Sequence, residues 1–325
     1  MERNIPCLTS IDTANAIAAS IRSKYSEKTT EIVDINHMRR EKVKLSFTKM
    51  HGCGNDYVYF NCFDHIIDNP EGLSIALSDR HFGVGGDGII LIERSDKAAG
   101  KMRIFNLDGS EAMMCGNGIR CVAKFMRDNG LVDRDDFEIE TLSGNKKVSL
   151  CRHYGEVNGT TVDMGAAILD PKLIPTALPA DENGRVVDRP IKIGGEDYNI
   201  TCVSMGNPHA VVFMHGNIDE LDLETLGPKF EFNEAFPDRV NTEFIKVIDD
   251  HTLKMRVWER GSGETWACGT GACAAATAAV LNGYCPKNEN ITVRLRGGDL
   301  MIRVTDEAVY MTGNAVTVFS GEIII

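Results

Sequence analysis

The sequence predicts an α+β fold with two pseudo-symmetric halves, each a mostly antiparallel sheet wrapped around a central helix. Three observations lead to this prediction: a Cys-Gly-x-Gly turn that occurs twice, an apolar helical pattern after each copy, and short β-rich runs between the copies. The length of 325 residues accommodates two such halves, and a composition of 43% hydrophobic and 25% charged residues is ordinary for a soluble globular protein.

The repeat is defined by three landmarks at an offset of about 153 residues. In each half a Gly-Ser pair precedes the turn, and the glycine of an Asn-Gly pair lies 15 residues after the cysteine. An asparagine lies upstream, 60 residues before the first cysteine and 61 before the second. We interpret the pattern as two homologous halves that face a shared cleft. The landmarks are Asn55, Cys115 and Asn129-Gly130 in the first half, and Asn207, Cys268 and Asn282-Gly283 in the second.

Each turn opens a predicted helix. After Cys115, apolar residues from Ile119 to Met126 recur at helical spacing, and Asn-Gly supplies a left-handed cap. The second helix is rich in Ala and Cys, which indicates a central, closely packed position. The β-rich runs that complete the α+β prediction are Tyr57–Phe60, Gly88–Ile92, Lys101–Phe105, Ala210–Phe213, Phe244–Ile248 and Leu253–Trp258.

The first 45 residues differ from the rest of the chain. Ser10–Ser23 has one apolar helical face, and charge dominates from Glu27 to Lys44. We expect an N-terminal extension at 1–45 (a helix plus a charged linker), one domain at 46–164 and 314–325 with Cys115, and a second at 165–313 with Cys268. An organellar address is the alternative for the extension, but its acidic residues disfavour it.

Charge and cysteine usage exclude several classes of function. A net charge of −12 disfavours nucleic acid and anionic membranes as partners, and no apolar run is long enough to span a bilayer. The ten cysteines include no C-x-x-C pair, so we expect no metal site. With no recognisable signal peptide, we expect reduced thiols in a cytoplasmic protein.

A cysteine directly before a helix lies beside unpaired N–H groups that favour negative charge. We therefore expect these N–H groups to hold a carboxylate and to lower the thiol pKa towards neutrality. Two such turns facing each other would place one thiol on each side of a single carbon. This arrangement fits removal of a proton from one face and delivery to the other, which inverts an amino acid α-carbon without a cofactor.

Eight segments of the chain contain specific motifs: Gly54–Asp56, Arg80–Gly88, Phe105–Glu111, Cys115–Gly118, Gly206–His209, Arg239–Asn241, Glu259–Thr265 and Ala267–Gly271. Over about 46–325, these motifs resemble those of the diaminopimelate epimerase family. The resemblance implies interconversion of LL- and meso-diaminopimelate, in lysine and peptidoglycan synthesis, by a homodimer that uses no cofactor or metal.

The same resemblance implies roles for individual residues. Cys115 would be the proton donor and Cys268 the acceptor in the LL-to-meso direction, with His209 and Glu259 flanking the reacting carbon. Gly116, Asn117, Gly269 and Thr270 would bind the reacting carboxylate. The remaining substrate-binding residues, several of them at the distal amino acid end, would be Asn55, Asn106, Asn207, Asn241 and Arg260.

One departure and two alternatives accompany this interpretation. Some family members have Gln where this chain has Gly88, so one side-chain contact is missing. A racemase of another amino acid, such as histidine, would use the same chemistry, although Arg260 and the asparagines favour a substrate with a second carboxylate. A redox-sensing or metal-binding dithiol protein is the alternative from another class, and the duplicated anion-binding turns disfavour it.

Overall fold

The computed structural model describes residues 43–324. The helix predicted at Ser10–Ser23 and nearly all of the charged linker lie outside the described residues. Residues 45–323 form one compact unit. The domain boundaries predicted within that unit therefore stay predictions. None of the helices among residues 43–324 has the length and hydropathy needed to cross a bilayer.

The described chain is dominated by β-strands, and all six β-rich runs predicted from the sequence lie inside strands. The strands in chain order are β1 Lys44–Gly52, β2 Asn55–Cys62, β3 Gly88–Glu93, β4 Gly100–Asn106, β5 Glu111–Ala112, β6 Asp136–Thr141, β7 Gly144–His153, β8 Glu156–Asp163, β9 Arg189–Ile193, β10 Glu196–Ser204, β11 Pro208–Phe213, β12 Asn241–Asp249, β13 Thr252–Glu259, β14 Gly263–Glu264, β15 Asn290–Leu295, β16 Gly298–Val304, β17 Val309–Asn314 and β18 Val316–Ile324.

The α-helices form two repeat-related pairs. The short pair lies between β2 and β3 in the first half and between β11 and β12 in the second, and the 13-residue pair follows the two Cys-Gly-x-Gly turns, as predicted. Within the described residues the α-helices are α1 Pro70–Ser78, α2 Gly116–Asp128, α3 Leu223–Glu231 and α4 Gly269–Leu281, with a 3-10 turn at Ile218–Glu220.

Strand pairing repeats the same pattern in both halves, which confirms the predicted duplication. Strands β1 to β8 pair in the order antiparallel, parallel, antiparallel and then parallel again from β4 to β6, with β5 added to the edge of β4. Strands β10 to β17 follow an identical order, with β14 added to β13. The antiparallel pairing of β8 with β17 joins the two halves.

The largest core cluster lies where the sheets of both halves close around α2 and α4. Helix α4 is buried along nearly its whole length because its alanines let the sheets approach closely. A smaller cluster lies under each short helix: Leu73 of α1 packs with Phe60 and Phe105, and Phe230 of α3 packs with Phe244. The two central helices are therefore held rigidly, and their N-termini are fixed relative to each other.

We predict that Gly227→Ala destabilises the second half. A Cβ at Gly227 of α3 would overlap the indole ring of Trp258 on β13, so the substitution overpacks the core, at a cost of roughly 1–3 kcal/mol. Gly216→Ala is the matched control, since its Cβ would meet no described atom within 4 Å. Urea unfolding of both variants checks the prediction, and equal midpoints would contradict it.

Candidate active site

Both cysteines occupy the position that caps a central helix. Cys115 has extended backbone angles, φ −135° and ψ 119°, and its Sγ accepts a hydrogen bond from Gly118 N–H at 3.4 Å. Cys268 has φ −114° and ψ 110°, and its Sγ accepts from Gly271 N–H at 3.4 Å. The predicted placement of each thiol at a helix N-terminus is confirmed, and each sulfur faces the free N–H groups of its own first turn.

The first turns of α2 and α4 lie against each other. A Cβ added at Gly269 would lie 3.8 Å from Gly116 Cα and 3.1 Å from Met311 Sδ, and one at Gly116 would lie 2.8 Å from Met311 Cε. The side chain of Asn117 crosses between the halves and donates to the Ala267 carbonyl at 3.4 Å. The two helix starts therefore share one methionine side chain, which would have to shift if either glycine carried a Cβ.

A cleft with a volume of about 1610 Å³ opens over the two helix starts. Both thiols line it, and so do eight of the eleven other residues named from the sequence. Those eight are Asn55, Asn106, Gly116, Asn117, Asn207, Glu259, Gly269 and Thr270. The three that do not line the cleft are His209, Asn241 and Arg260.

In the first half, Asp87 fixes the amide of Asn55. Asn55 Nδ2 donates to Asp87 Oδ2 at 2.7 Å, so Asn55 Oδ1 faces the cleft floor. There it accepts from Cys115 Sγ at 3.3 Å and from Asn117 Nδ2 at 3.4 Å. The orientation of the amide that contacts the first thiol therefore depends on a carboxylate behind it.

In the second half, a buried pair fixes the amide of Asn207. Asn207 Nδ2 donates to Thr270 Oγ1 at 3.3 Å, and its Oδ1 accepts from His209 Nε2 at 3.1 Å. His209 is fully buried, with its Nδ1 2.7 Å from Glu243 Oε1. His209 therefore lies behind Asn207, where it supports the cleft wall without facing the cleft.

Glu259 lies beside Cys268 at the end of β13. It accepts a hydrogen bond from Thr265 Oγ1. Burial raises the pKa of the Glu259 carboxyl above its ordinary value, although Thr265 and the neighbouring Cys268 thiol favour its charged form. A carboxyl with a raised pKa beside a thiol is suited to exchange a proton with it.

The distal residues are arranged by backbone contacts. Asn241 Nδ2 donates to the Pro208 carbonyl at 2.8 Å, and its Oδ1 accepts from Arg260 N–H at 2.9 Å. The exposed Arg260 guanidinium donates to the Asp238 carbonyl at 2.9 Å. Asn106 donates to Ser110 Oγ at 3.0 Å. Of these residues, Asn106 alone is brought to the cleft together with the thiols.

The predicted lowering of the thiol pKa values towards neutrality is wrong for this structure. Burial raises the pKa of Cys115, and the N–H groups of Gly118 and Asn117 offset this only in part. Burial raises the pKa of Cys268 still further, and the negative charge of Glu259 adds to it. Removal of water from two enclosed sulfurs outweighs the attraction of a helix N-terminus for a thiolate.

Sequence reasoning missed three residues that support the site. Asp87 lies in the matched segment Arg80–Gly88 but was given no role there, and Glu243 is a single polar residue inside a buried strand. Tyr57 had a signal: it follows Asn55 by two residues, as His209 follows Asn207. Burial raises the pKa of Tyr57 well above its usual range, and the Cys115 thiol close to it has the same effect.

The departure at Gly88 has a steric reason. A Cβ at Gly88 would overlap the carbonyl oxygen of Phe105, its neighbour on β4. This backbone leaves no room for a side chain at position 88. The contact expected from Gln in other family members is therefore absent here. Among residues 43–324 no group of three His, Cys, Asp or Glu side chains is arranged to hold a metal ion.

Comparison with known proteins identifies the family. A sequence model described as diaminopimelate epimerase matches residues 47–169 and 201–318. The chain belongs to the diaminopimelate epimerase family. Diaminopimelate epimerase of Desulfovibrio desulfuricans is 54% identical over 286 residues, which cover 86% of this chain and 98% of that protein. The protein of the same name from Methanococcus maripaludis strain C5 is 52% identical over 281 residues, covering 86% and 99%.

Solved structures show that the duplicated fold is shared more widely. A phenazine biosynthesis protein of the PhzF family from Bacillus anthracis aligns with a TM-score of 0.63 at 16% identity, covering 87% of this chain and 100% of that chain. A hydroxyproline epimerase from Agrobacterium vitis aligns with a TM-score of 0.62 at 15% identity, covering 89% and 94%. At such identities these structures support the fold alone.

For this member of the diaminopimelate epimerase family, we predict that Asp87→Asn lowers kcat/KM about tenfold, which corresponds to ~1.4 kcal/mol. The substitution removes the charged acceptor that orients Asn55 towards Cys115. Arg80→Met is the comparison variant, because it breaks the ion pairs of Arg80 with Asp87 at 3.0 Å and with Asp56 at 2.7 Å and leaves the contact between Asn55 and Asp87 in place. Initial rates of both variants test this, and a loss in Asp87→Asn no larger than that in Arg80→Met would contradict a role for Asp87 through Asn55.

Proposed function

We propose that the protein is a diaminopimelate epimerase that interconverts LL- and meso-diaminopimelate with two thiols and no cofactor. The observation that supports this best is the pair of helix starts, each capped by a cysteine and each lining the same cleft. Relatives named diaminopimelate epimerase, at 52–54% identity over nearly their whole length, support the choice of substrate over histidine.

The chemistry needs one thiolate and one thiol. A thiolate on one face of the α-carbon takes the α-proton, and the C–H electron pair moves into the adjacent carboxylate as an enediolate. The thiol on the other face then delivers its proton to the same carbon. In the LL-to-meso direction Cys268 would be the base and Cys115 the acid. After one turnover the protonation states of the two thiols are exchanged. The original states must be restored by proton exchange with solvent before the next cycle in the same direction.

Charge that develops on the carboxylate is stabilised by the helix starts. The N–H groups of the first turns of α2 and α4 face the cleft together with the side chains of Asn117 and Thr270. Because these donors are fixed by helix packing, they need no reorganisation as the charge appears. Asn55 and Asn207 lie at repeat-related positions and are suited to bind the ammonium group and the carboxylate of the reacting end.

The other end of the substrate carries a second ammonium and carboxylate. Arg260 and Asn241 are the proposed ligands for it, with Asn106 across the cleft. To reach the cleft, the Arg260 side chain would have to turn away from the Asp238 carbonyl. The substrate carboxylate favours this change because it accepts two hydrogen bonds from a guanidinium and is a stronger acceptor than a single carbonyl. We also propose that the enzyme is a cytoplasmic homodimer, as the family resemblance implies.

Exchange of the α-proton in deuterated water tests the substrate. We expect the protein to exchange the α-proton of LL-diaminopimelate and to form the meso isomer, with no exchange from histidine under the same conditions. Added EDTA or hydroxylamine, which would remove a metal or trap pyridoxal, should leave the rate unchanged. Exchange from histidine with none from diaminopimelate would overturn the proposal.

We predict that Cys115→Ala and Cys268→Ala each lower kcat by about 10²- to 10⁴-fold, since each removes a general acid–base group. The matched control is Cys273→Ala, which removes a fully buried thiol from the same helix that Cys268 caps. All three variants should unfold at similar urea concentrations. Near-normal turnover in either cap variant would exclude the two-thiol mechanism.

A further inference from the structure

The fully buried guanidinium of Arg120 lies directly behind the first turn of α2. Its Nη1 donates to the Gly116 carbonyl at 3.0 Å, and its Nη2 donates to Asn117 Oδ1 at 3.0 Å and to Cys53 Sγ at 3.7 Å. Its Nε donates to the Asn314 carbonyl at 3.3 Å. No carboxylate of the described residues lies within ion-pair distance of it. Burying a charge is costly, and here only uncharged acceptors offset that cost.

The surroundings are shaped to hold this guanidinium. A Cβ at Gly52 would lie 2.9 Å from Arg120 Nη2, and a Cβ at Gly313 would lie 2.9 Å from Arg120 Nε and 2.5 Å from Leu300 Cδ2. Both glycines are in strands, β1 and β17, where glycine otherwise weakens the strand. The site is therefore built to accept a planar cation between the two sheets, behind the first of the two thiol turns.

The hydrogen bonds link Arg120 to the proposed catalytic groups without exposing it to the cleft. Because Asn117 Oδ1 accepts from Arg120, Asn117 Nδ2 is directed to the Ala267 carbonyl and to Asn55 Oδ1. Asn55 Oδ1 in turn accepts from the Cys115 thiol. Arg120 thus fixes the amide that spans the two helix starts.

The second half has no equivalent cation. The position related to Arg120 by the repeat is Cys273, and the position behind the start of α4 is occupied by Glu243, where the first half has Ile90. Glu243 and His209 form a hydrogen-bonded pair: Asn207 Oδ1 accepts from His209 Nε2, and His209 Nδ1 lies 2.7 Å from Glu243 Oε1. The buried cation therefore lies behind the Cys115 turn alone, and a carboxylate lies behind the Cys268 turn.

We propose that Arg120 is a positioning residue whose buried charge makes Cys115, rather than its symmetry mate Cys268, the thiol that ionises first in the substrate-free protein. This inference goes beyond the proposed function, because it concerns the resting state of the two thiols. It implies that the resting protein is set for the meso-to-LL direction. The LL isomer would then require transfer of a proton from Cys268 to Cys115 before reaction.

The charged and titratable groups around the thiols agree with this order. The positive charge of Arg120 lowers the pKa of Cys115, although burial raises it overall, and the pKa of Cys268 is raised well above its ordinary value by burial and by Glu259 and Glu243. The other groups that face Cys115 are Tyr57 and Tyr59 on β2, Cys121 on α2 and Glu259 on β13.

The test is the pH dependence of alkylation by iodoacetamide, measured on the full chain without substrate. Mass spectrometry with fragmentation reports the rate at Cys115 and Cys268 separately. The midpoint of each pH profile reports ionisation and is independent of how exposed each sulfur is. We expect the Cys115 midpoint to lie below that of Cys268 in the wild-type protein.

Variants of Arg120 separate charge from packing. Arg120→Gln should raise the midpoint of the Cys115 alkylation profile by about one pH unit, which corresponds to about tenfold less thiolate at a pH below the midpoint. The midpoint of Cys268 should not change. Arg120→Lys keeps the charge, so its Cys115 midpoint should stay near the wild-type value while kcat falls because Asn117 is no longer held. Lys124→Met, which removes a cation one turn further along α2, should move neither midpoint.

Two results would overturn the proposal. One is a Cys268 midpoint at or below that of Cys115 in the wild-type protein, which decides the question even if Arg120→Gln does not fold. The other is a folded Arg120→Gln variant with an unchanged Cys115 midpoint. Because alkylation needs no substrate, a protein that alkylates as expected but does not exchange the α-proton of diaminopimelate would refute the proposed function and leave this inference standing.

Discussion

The contact between the first turns of α2 and α4 is the constraint on which the rest of the structure depends. Gly116 and Gly269 approach each other beside the side chain of Met311, and a Cβ at either position would require that methionine to move. The sheets of both halves close around these two helices, so the strand repeat serves to hold two helix starts at one place. The thiols, the backbone donors and the asparagines are all positioned from that contact. Rigid packing of this kind gives a site whose donors are already oriented before substrate binds.

Duplication explains why two faces of one carbon are accessible, and departures from duplication explain how the faces differ. Asn55 and Asn117 in the first half correspond to Asn207 and Thr270 in the second, and each pair is joined by a hydrogen bond. The supports behind these pairs differ. Asp87 holds the first asparagine, and the hydrogen-bonded pair of His209 and Glu243 holds the second. The scaffold is symmetric, but the buried charges behind the two thiols are not. This suits a reaction in which the thiols approach one carbon from mirror-related faces and differ in their affinity for a proton.

Much of the fold and of the candidate site could be predicted from the sequence, because the motifs that indicate them lie within short stretches of the chain. The Cys-Gly-x-Gly turns, the helices that follow them and the six β-rich runs were predicted correctly, since each depends on spacing within a few residues. The supporting charges were not predicted, because burial depends on contacts between distant strands. Arg120 reads as an ordinary helix-surface residue, and Glu243 as one polar residue in an apolar strand. The prediction of lowered thiol pKa values was wrong for the same reason. The sequence indicates the helix N-terminus, but it does not indicate that the sulfurs are enclosed.

The central claim is that two thiols lie on opposite faces of one carbon. One thiol removes the proton of that carbon, and the other delivers a new proton to it. The most direct measurement is the position of the isotope during the first few per cent of turnover of LL-diaminopimelate in deuterated water, followed by NMR and chiral separation. Two separate groups deliver and remove the proton, so the meso product should contain deuterium at the inverted carbon while the remaining LL isomer keeps its protium. Product that retains the substrate's own proton, or deuterium that enters the LL isomer before any inversion, would contradict the account.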